Sequence, residues 1–232
     1  MYRIKGAIRQ VLTKTPYLWR FRDLFMPPFP GVAEYWEERY RSGGNSGAGS
    51  YGHLAEFKAA CLNQFVADNN VDTIIEFGCG DGAQLYLAQY NKYIGCDVSP
   101  QAVQMCIEKF RQDKSKSFFL LDTSCFLDNL GVFCADLGLS LDVVYHLVED
   151  FVFESYMQLL FACARRFVII YSSNHDEIIP RTHVRHRKFT DYVEAHFPGW
   201  LLIDRVKQQF PLSGDQQGSW ADFFIYRHTL AT

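Results

Sequence analysis

The stretch Ile75-Glu76-Phe77-Gly78-Cys79-Gly80-Asp81-Gly82-Ala83-Gln84-Leu85 runs from an apolar strand-like segment through three glycines into a segment that reads as the start of a helix. Glycines at 78, 80 and 82 remove the β-carbons that would keep a ligand away from the backbone. A helix beginning after them would aim its free amides at whatever lies above the turn. A lone glycine-rich motif is a weak signal. Here it stands between strand and helix patterns, as a nucleotide turn requires. Asp97 closes the next apolar run, 19 residues beyond Gly78. A carboxylate at that place can accept hydrogen bonds from both hydroxyls of a ribose. The pattern predicts an adenosine-type cofactor on the 78–82 turn.

The same letters satisfy a dinucleotide pattern, G-x-G-x-x-A, read as Gly78, Gly80 and Ala83. Glu76 decides between the two. Two residues before the first glycine, its charge would face a pyrophosphate at unfavourable short range. The same acid suits a cofactor without phosphate that carries an ammonium and a sulfonium. Asp122, at the end of the third apolar run, adds an acid that can accept from the exocyclic amine of adenine.

Outward from this turn, short apolar runs alternate with helical stretches. The runs are 73–77, 93–96, 118–121, 141–145 and 167–171. Continuous apolar strands separated by helices predict an α/β fold with a parallel sheet covered on both faces. Two last strands, near 200–206 and 222–228, follow each other without a helix between them and predict an antiparallel pair. Ahead of the turn, residues 53–69 have apolar positions at helical spacing, and 33–41 form a shorter amphipathic helix with Tyr35, Trp36 and Tyr40. Between them lies Ser42-Gly43-Gly44-Asn45-Ser46-Gly47-Ala48-Gly49-Ser50, read equally well as a flexible linker or as a lid. Residues 1–26 read as a helical arm, broken by Pro27, Pro28 and Pro30. The division expected is 1–52 for arm and glycine-rich lid and 53–232 for the cofactor-binding domain.

Glu76-Phe77-Gly78-Cys79-Gly80-Asp81-Gly82, Asp97 and Asp122, each at a successive strand end, together resemble the signature of class I S-adenosylmethionine-dependent methyltransferases. The helix with Tyr35-Trp36-Glu37-Glu38-Arg39-Tyr40 and the late antiparallel pair resemble that superfamily too, over roughly residues 33–228. The resemblance implies a Rossmann-like three-layer sandwich: a mostly parallel seven-stranded sheet with a C-terminal antiparallel strand. It implies S-adenosyl-L-methionine as cofactor, with Gly78, Cys79, Gly80 and Gly82 against the methionine portion and Glu76 at its amino group. It places Asp97 with Val98 at the ribose, and Asp122 with Thr123 at adenine.

Methyl transfer to a hydroxyl needs alignment and removal of a proton. His146, after the fourth apolar run, and His175, after the fifth, are the candidate bases. Histidine suits the role because it titrates near neutral pH. The bland alternative for His146 is a hydrogen bond to backbone, with Glu149-Asp150 starting a helix. Tyr40, Tyr51, Glu149, Arg185 and His186 are weaker candidates for substrate contact. His175, Asp176, His183 and His186 do not have a spacing diagnostic of an ion, and no metal is expected. The acceptor expected is a small molecule, sugar or glycan hydroxyl. The alternatives are nitrogen methylation of an amine or protein side chain, and a non-catalytic cofactor-binding subunit.

The formal net charge of −3 argues against broad nucleic-acid binding, and no nucleic-acid partner is expected. The seven cysteines show no C-x-x-C spacing, so neither a disulfide framework nor a structural zinc site is expected. The reading is a reduced, cytoplasmic protein. No apolar stretch is long enough to span a bilayer, and the first 25 residues do not read as a secretory signal. The basic, aromatic start is compatible with lying on a membrane surface. Packing on its own domain or on a partner subunit is the favoured reading.

Overall fold

A computed structural model describes residues 29–122, 125–212 and 218–231. The expected arm at 1–26 and Thr123 lie outside these residues. The described chain begins with helix α1 (Val32–Arg41) and helix α2 (Gly52–Asp68), joined by the glycine-rich segment with one 3-10 turn at Ala48–Ser50. Then come β1 (Thr73–Phe77), β2 (Lys92–Asp97), α3 (Pro100–Phe110), β3 (Lys116–Leu120) and β4 (Ala135–Leu141). Next are α4 (Asp150–Ala162), β5 (Ala164–Ser172), the two-residue strands β6 (Glu177–Ile178) and β7 (Arg185–His186), and α5 (Phe189–His196). β8 (Trp200–Val206) and β9 (Asp222–His228) close the chain.

Seven strands form one sheet in the order β3-β2-β1-β4-β5-β9-β8. β1 to β5 pair in parallel, and β9 runs antiparallel to both β5 and β8. Both the parallel core and the late antiparallel pair are as expected. The cause is visible in the burial: side chains alternate between faces along a strand, yet along the central strands β1, β4, β5 and β9 both faces are largely buried, while the edge strands β3 and β8 are largely exposed. Ile75, Phe77, Val168 and Ile170 pack with Met157 and Leu160 of α4 and with Phe189 of α5. Ile74, Leu137, Leu139 and Ile169 pack with Leu62 and Val66 of α2. All seven cysteines are unpaired. No helix among the described residues is long and apolar enough to cross a membrane.

Two local expectations are corrected. The fourth strand is Ala135–Leu141 rather than 141–145. Asp136, Gly138 and Ser140 dilute its apolar signal. Gly138 is small because Leu160 and Ala164 fill the place of a side chain there. The segment expected to be strand is instead Asp142, at φ 60°, followed by a 3-10 turn at Val144–His146. Second, no α-helix follows the glycine turn. Only a 3-10 turn, Leu85–Leu87, stands between it and β2. The connection is too short for two helical turns and a return, and Asn63 of α2 clamps it instead: Nδ2 donates to Leu87 O at 3.0 Å, and Oδ1 accepts from Gln89 N at 2.9 Å. Thr190 lies inside α5, and its hydroxyl pairs with the Asn174 side chain.

Candidate active site

The parallel strands deliver their C-terminal ends to one side of the sheet, and a cavity of about 570 Å³ opens there. That size lies within the usual range for small-molecule sites. β1 contributes Glu76, β2 Asp97, the end of β3 Asp122 and the end of β4 Asp142. α1 and the glycine-rich segment form the roof with Trp36, Tyr40 and Ser46, while α2 contributes Lys58.

Glu76 is buried, and its Oε2 accepts from the Tyr93 hydroxyl at 2.6 Å. Burial pushes its pKa up to about 7, although the Tyr93 bond and Lys58 oppose the rise. Asp97 is raised to about 6, again by burial, against hydrogen bonds from the backbone amides of Ser99, Gly80 and Val98. Gly80 N donates to Oδ2 of Asp97 at 2.8 Å and Ser99 N to Oδ1 at 2.9 Å. Both acids are therefore fixed in place at the cost of desolvation, an arrangement typical of functional sites. Two acceptors facing the cavity, Gln84 Oε1 and Glu149 Oε2, are buried and have no hydrogen-bond partner. Buried acceptors of this kind call for a donor.

The glycine turn has a roof of protein. A β-carbon on Gly80 would lie 2.3 Å from Ser46 Oγ, and one on Gly78 would lie 2.4 Å from a methyl of Val143. Gly80 also has φ 56°, which L side chains rarely adopt. The turn is bare because the roof segment and Val143 come that close. Asp81 ties roof to turn. Its Oδ2 accepts from Tyr51 OH at 2.6 Å and Ser46 N at 3.2 Å, while Asp81 N donates to Ser46 Oγ at 3.0 Å. Burial alone would raise the Asp81 pKa, but the bonds from Tyr51, Ala83 and Ser46 outweigh it and the net shift is downward.

His146 is the one histidine among the described residues that line the cavity. Its Nδ1 lies 2.7 Å from the carbonyl oxygen of His183. A carbonyl only accepts, so Nδ1 carries the proton and Nε2 keeps a lone pair. Trp36, Tyr145 and His183 enclose the ring, with centroids at 5.1, 4.5 and 5.0 Å. Burial lowers its pKa to about 4, so the imidazole is neutral at pH 7.

Of the residues expected at the site, Glu76, Gly78, Cys79, Gly80, Asp97, Val98, Asp122, His146, Tyr40 and Glu149 line the cavity. Gly82 does not; Phe110 and Cys106 occupy its side-chain direction. His175 does not either. β5 runs on to Ser172, and the β6–β7 hairpin that follows carries His175 outward, beside Glu177. Tyr51 is spent on Asp81, Arg185 on Val148 O and Asp150, and His186 on Ser173. Sequence reasoning missed Lys58, Ser46 and Gln84. A lysine on the apolar face of a helix is the one signal that pointed to Lys58.

No protein-family profile matches the chain. The small RNA 2'-O-methyltransferase of Arabidopsis thaliana is 26% identical over 178 residues, 72% of this chain. The chain spans only 19% of that protein's length. Among solved structures, the N-methyltransferase NodS from Bradyrhizobium japonicum WM9, with S-adenosyl-L-homocysteine, superposes with TM-score 0.62 at 15% identity, covering 85% of this chain and 98% of that one. Magnesium protoporphyrin IX methyltransferase from Synechocystis PCC 6803, with bound S-adenosyl-homocysteine, gives 0.60 at 15% identity over the same shares of each chain. The methyltransferase domain of bacterial CtHen1 gives 0.57 at 18%, covering 74% and 96%. With these neighbours and this strand order, the fold is that of the class I S-adenosylmethionine-dependent methyltransferases, as the resemblance implied.

Proposed function

We propose that the protein is an S-adenosylmethionine-dependent methyltransferase acting on a hydroxyl of a sugar-like acceptor. The observation that supports this is one cavity that joins buried acids to a single neutral imidazole. Glu76 and Asp97 are the buried acids that line it, joined by the half-buried Glu149, the exposed Asp122 and the basic Lys58. An acid-ringed pocket favours a cationic, phosphate-free ligand over a dinucleotide. The neighbours with S-adenosyl-homocysteine bound agree with that choice. When bound, S-adenosylmethionine supplies an electrophilic methyl group on a cationic sulfur.

In this reading Glu76 and Gln84 receive the donor's ammonium and Asp97 its ribose hydroxyls. Nε2 of His146 takes the proton of the acceptor hydroxyl. The His183 carbonyl holds that ring in the tautomer needed, as a second hydrogen bond on an imidazole does. An amine acceptor would gain from the cavity's negative charge and, as an ammonium, would also have to lose a proton before attack, so the parallel acceptor screen decides between oxygen and nitrogen.

A second reading is favoured by the Arabidopsis relative, which is named for methylating small RNA at the 2'-oxygen. A ribose 2'-hydroxyl is also a sugar hydroxyl, so the same base and cavity would serve. The test is transfer of labelled methyl from S-adenosylmethionine to oligosaccharides, short RNAs and small amines in parallel. Label on a saccharide or ribose oxygen, lost in His146→Ala, is the expected result. Label on amines alone, unaffected by that substitution, would overturn the oxygen assignment.

A further inference from the structure

Outside the cavity, His175, Glu177 and His186 present ligand atoms that all lie within 4.8 Å of one another. The hairpin register explains why. Glu177 pairs directly with His186 across β6 and β7. His175 lies in the bend two residues before Glu177, and that bend brings its ring beside the Glu177 carboxylate. Nε2 of His175 is 3.4 Å from Oε2 of Glu177. Two ligands about 2.1 Å from a tetrahedral zinc ion stand about 3.4 Å apart, so this pair already has that separation. The imidazoles of His175 and His186 stack with centroids 4.5 Å apart.

His186 differs from an ordinary surface histidine. It is buried, and the buried Ser173 hydroxyl lies 2.6 Å from its Nδ1, which leaves Nε2 as the ligand atom. A partner on the second ring nitrogen is what fixes a metal-binding imidazole in place. The Trp220 edge packs on the same ring at 5.3 Å. The cluster therefore has one rigid ligand backed by a hydroxyl and two ligands that reach it from across a hairpin.

We infer that His175, Glu177 and His186 bind a divalent transition metal of the zinc class, with water completing the coordination. Two imidazoles and one carboxylate suit zinc, cobalt or nickel rather than magnesium, which prefers oxygen ligands and keeps its water. The metal closes the base of the hairpin that holds His183, and His183 is the residue whose carbonyl anchors His146. Its place is thus structural and one step removed from the chemistry. The inference does not depend on the proposed methyl transfer, and it revises the expectation of no metal that spacing alone gave.

The test is calorimetric titration of the full chain, stripped with chelator and then exchanged into plain buffer, with zinc chloride. Cobalt chloride is the spectroscopic probe. One zinc per chain is expected, with affinity falling at least tenfold in E177Q and further in H175A/E177Q. Both residues are exposed, so these variants test the ligands without disturbing the core. Cobalt should give visible d–d bands, without a thiolate charge-transfer band, that disappear in H175A/E177Q. No zinc uptake by the parent chain, or unchanged uptake by H175A/E177Q, would overturn the site.

Discussion

Lys58 Nζ lies 2.5 Å from Oδ2 of Asp142, and the pair joins the middle of α2 to the turn that ends β4. Lys58 is only 1% exposed. Its ammonium also faces the Tyr171 ring at 5.2 Å, and Oδ1 of Asp142 accepts from Tyr145 OH at 2.8 Å. Removing one partner of a buried ion pair strands the other charge, which costs about 3–5 kcal/mol. Asp142→Ala should lose that amount and carry added strain at φ 60°, while Asp142→Asn, tolerant of that conformation, should lose less. Replacing both, as Lys58→Met with Asp142→Asn, should be more stable than Asp142→Ala alone. Urea unfolding of the three variants checks the order.

Glu76 carries a prediction that separates stability from binding. Its folded pKa of about 7 lies above the ordinary carboxylate value. The folded protein therefore holds a proton that the unfolded chain releases between about pH 4.5 and 7. Its contribution favours folding at low pH and is lost as pH rises through 7. Glu76→Gln removes the ionisation and should raise the melting temperature at pH 8, with on the order of 2–3 kcal/mol gained. The same variant should bind S-adenosylmethionine at least tenfold more weakly at pH 8. In the parent chain, affinity should fall as pH drops below 7, because the carboxylate must ionise to meet a cation. In Glu76→Gln that slope should be absent.

Sequence alone revealed the sheet and brought Glu76, Asp97, Asp122 and His146 to one cavity, because each depends on local pattern. Apolar runs bounded by turns mark buried parallel strands. Glu76, Asp97 and Asp122 sit at strand ends, where the fold brings them together whatever the loops do. What escaped depends on distant partners. Lys58 sits at the cavity because Asp142 is 84 positions away in sequence and adjacent in space. His175 and Tyr51 looked equivalent to His146 and Tyr40 in the chain, yet a hairpin carries one away and Asp81 takes the other. The missing helix after the glycines follows from connection length and from the Asn63 clamp, neither of which shows in a propensity reading.

In the proposed reaction His146 would set the acidic limb. With its pKa lowered to about 4, the imidazole stays neutral and able to take a proton well below pH 6. At saturating donor, the rate should fall only as pH approaches 4, rather than near the 6.5 of a free imidazole. His146→Ala should lower kcat by about 10²–10⁴, as loss of a general base does, with donor affinity near normal. A pH–rate profile with its acidic midpoint near 6.5 would count against the buried, tethered ring as the base.

The glycine-rich segment can be set loose from the turn by two different changes. Asp81→Ala removes the acceptor shared by Tyr51 OH and Ser46 N. Gly80→Ala leaves Asp81 intact but drives a methyl group against Ser46 Oγ and strains a residue at φ 56° by roughly 1–2 kcal/mol. If the segment works as a lid, both variants should speed amide exchange over residues 44–51 and weaken donor binding several-fold, while exchange in β1 and β4 stays slow. Ser46, Tyr40 and Tyr51 touch the turn without belonging to the sheet, so the roof is the element these changes would free. If exchange over 44–51 rose but donor affinity held, the segment would be a linker that happens to rest on the cofactor turn. If exchange in β1 rose as well, Asp81 would be a support of the sheet itself, and the roof would have no separate motion to regulate entry.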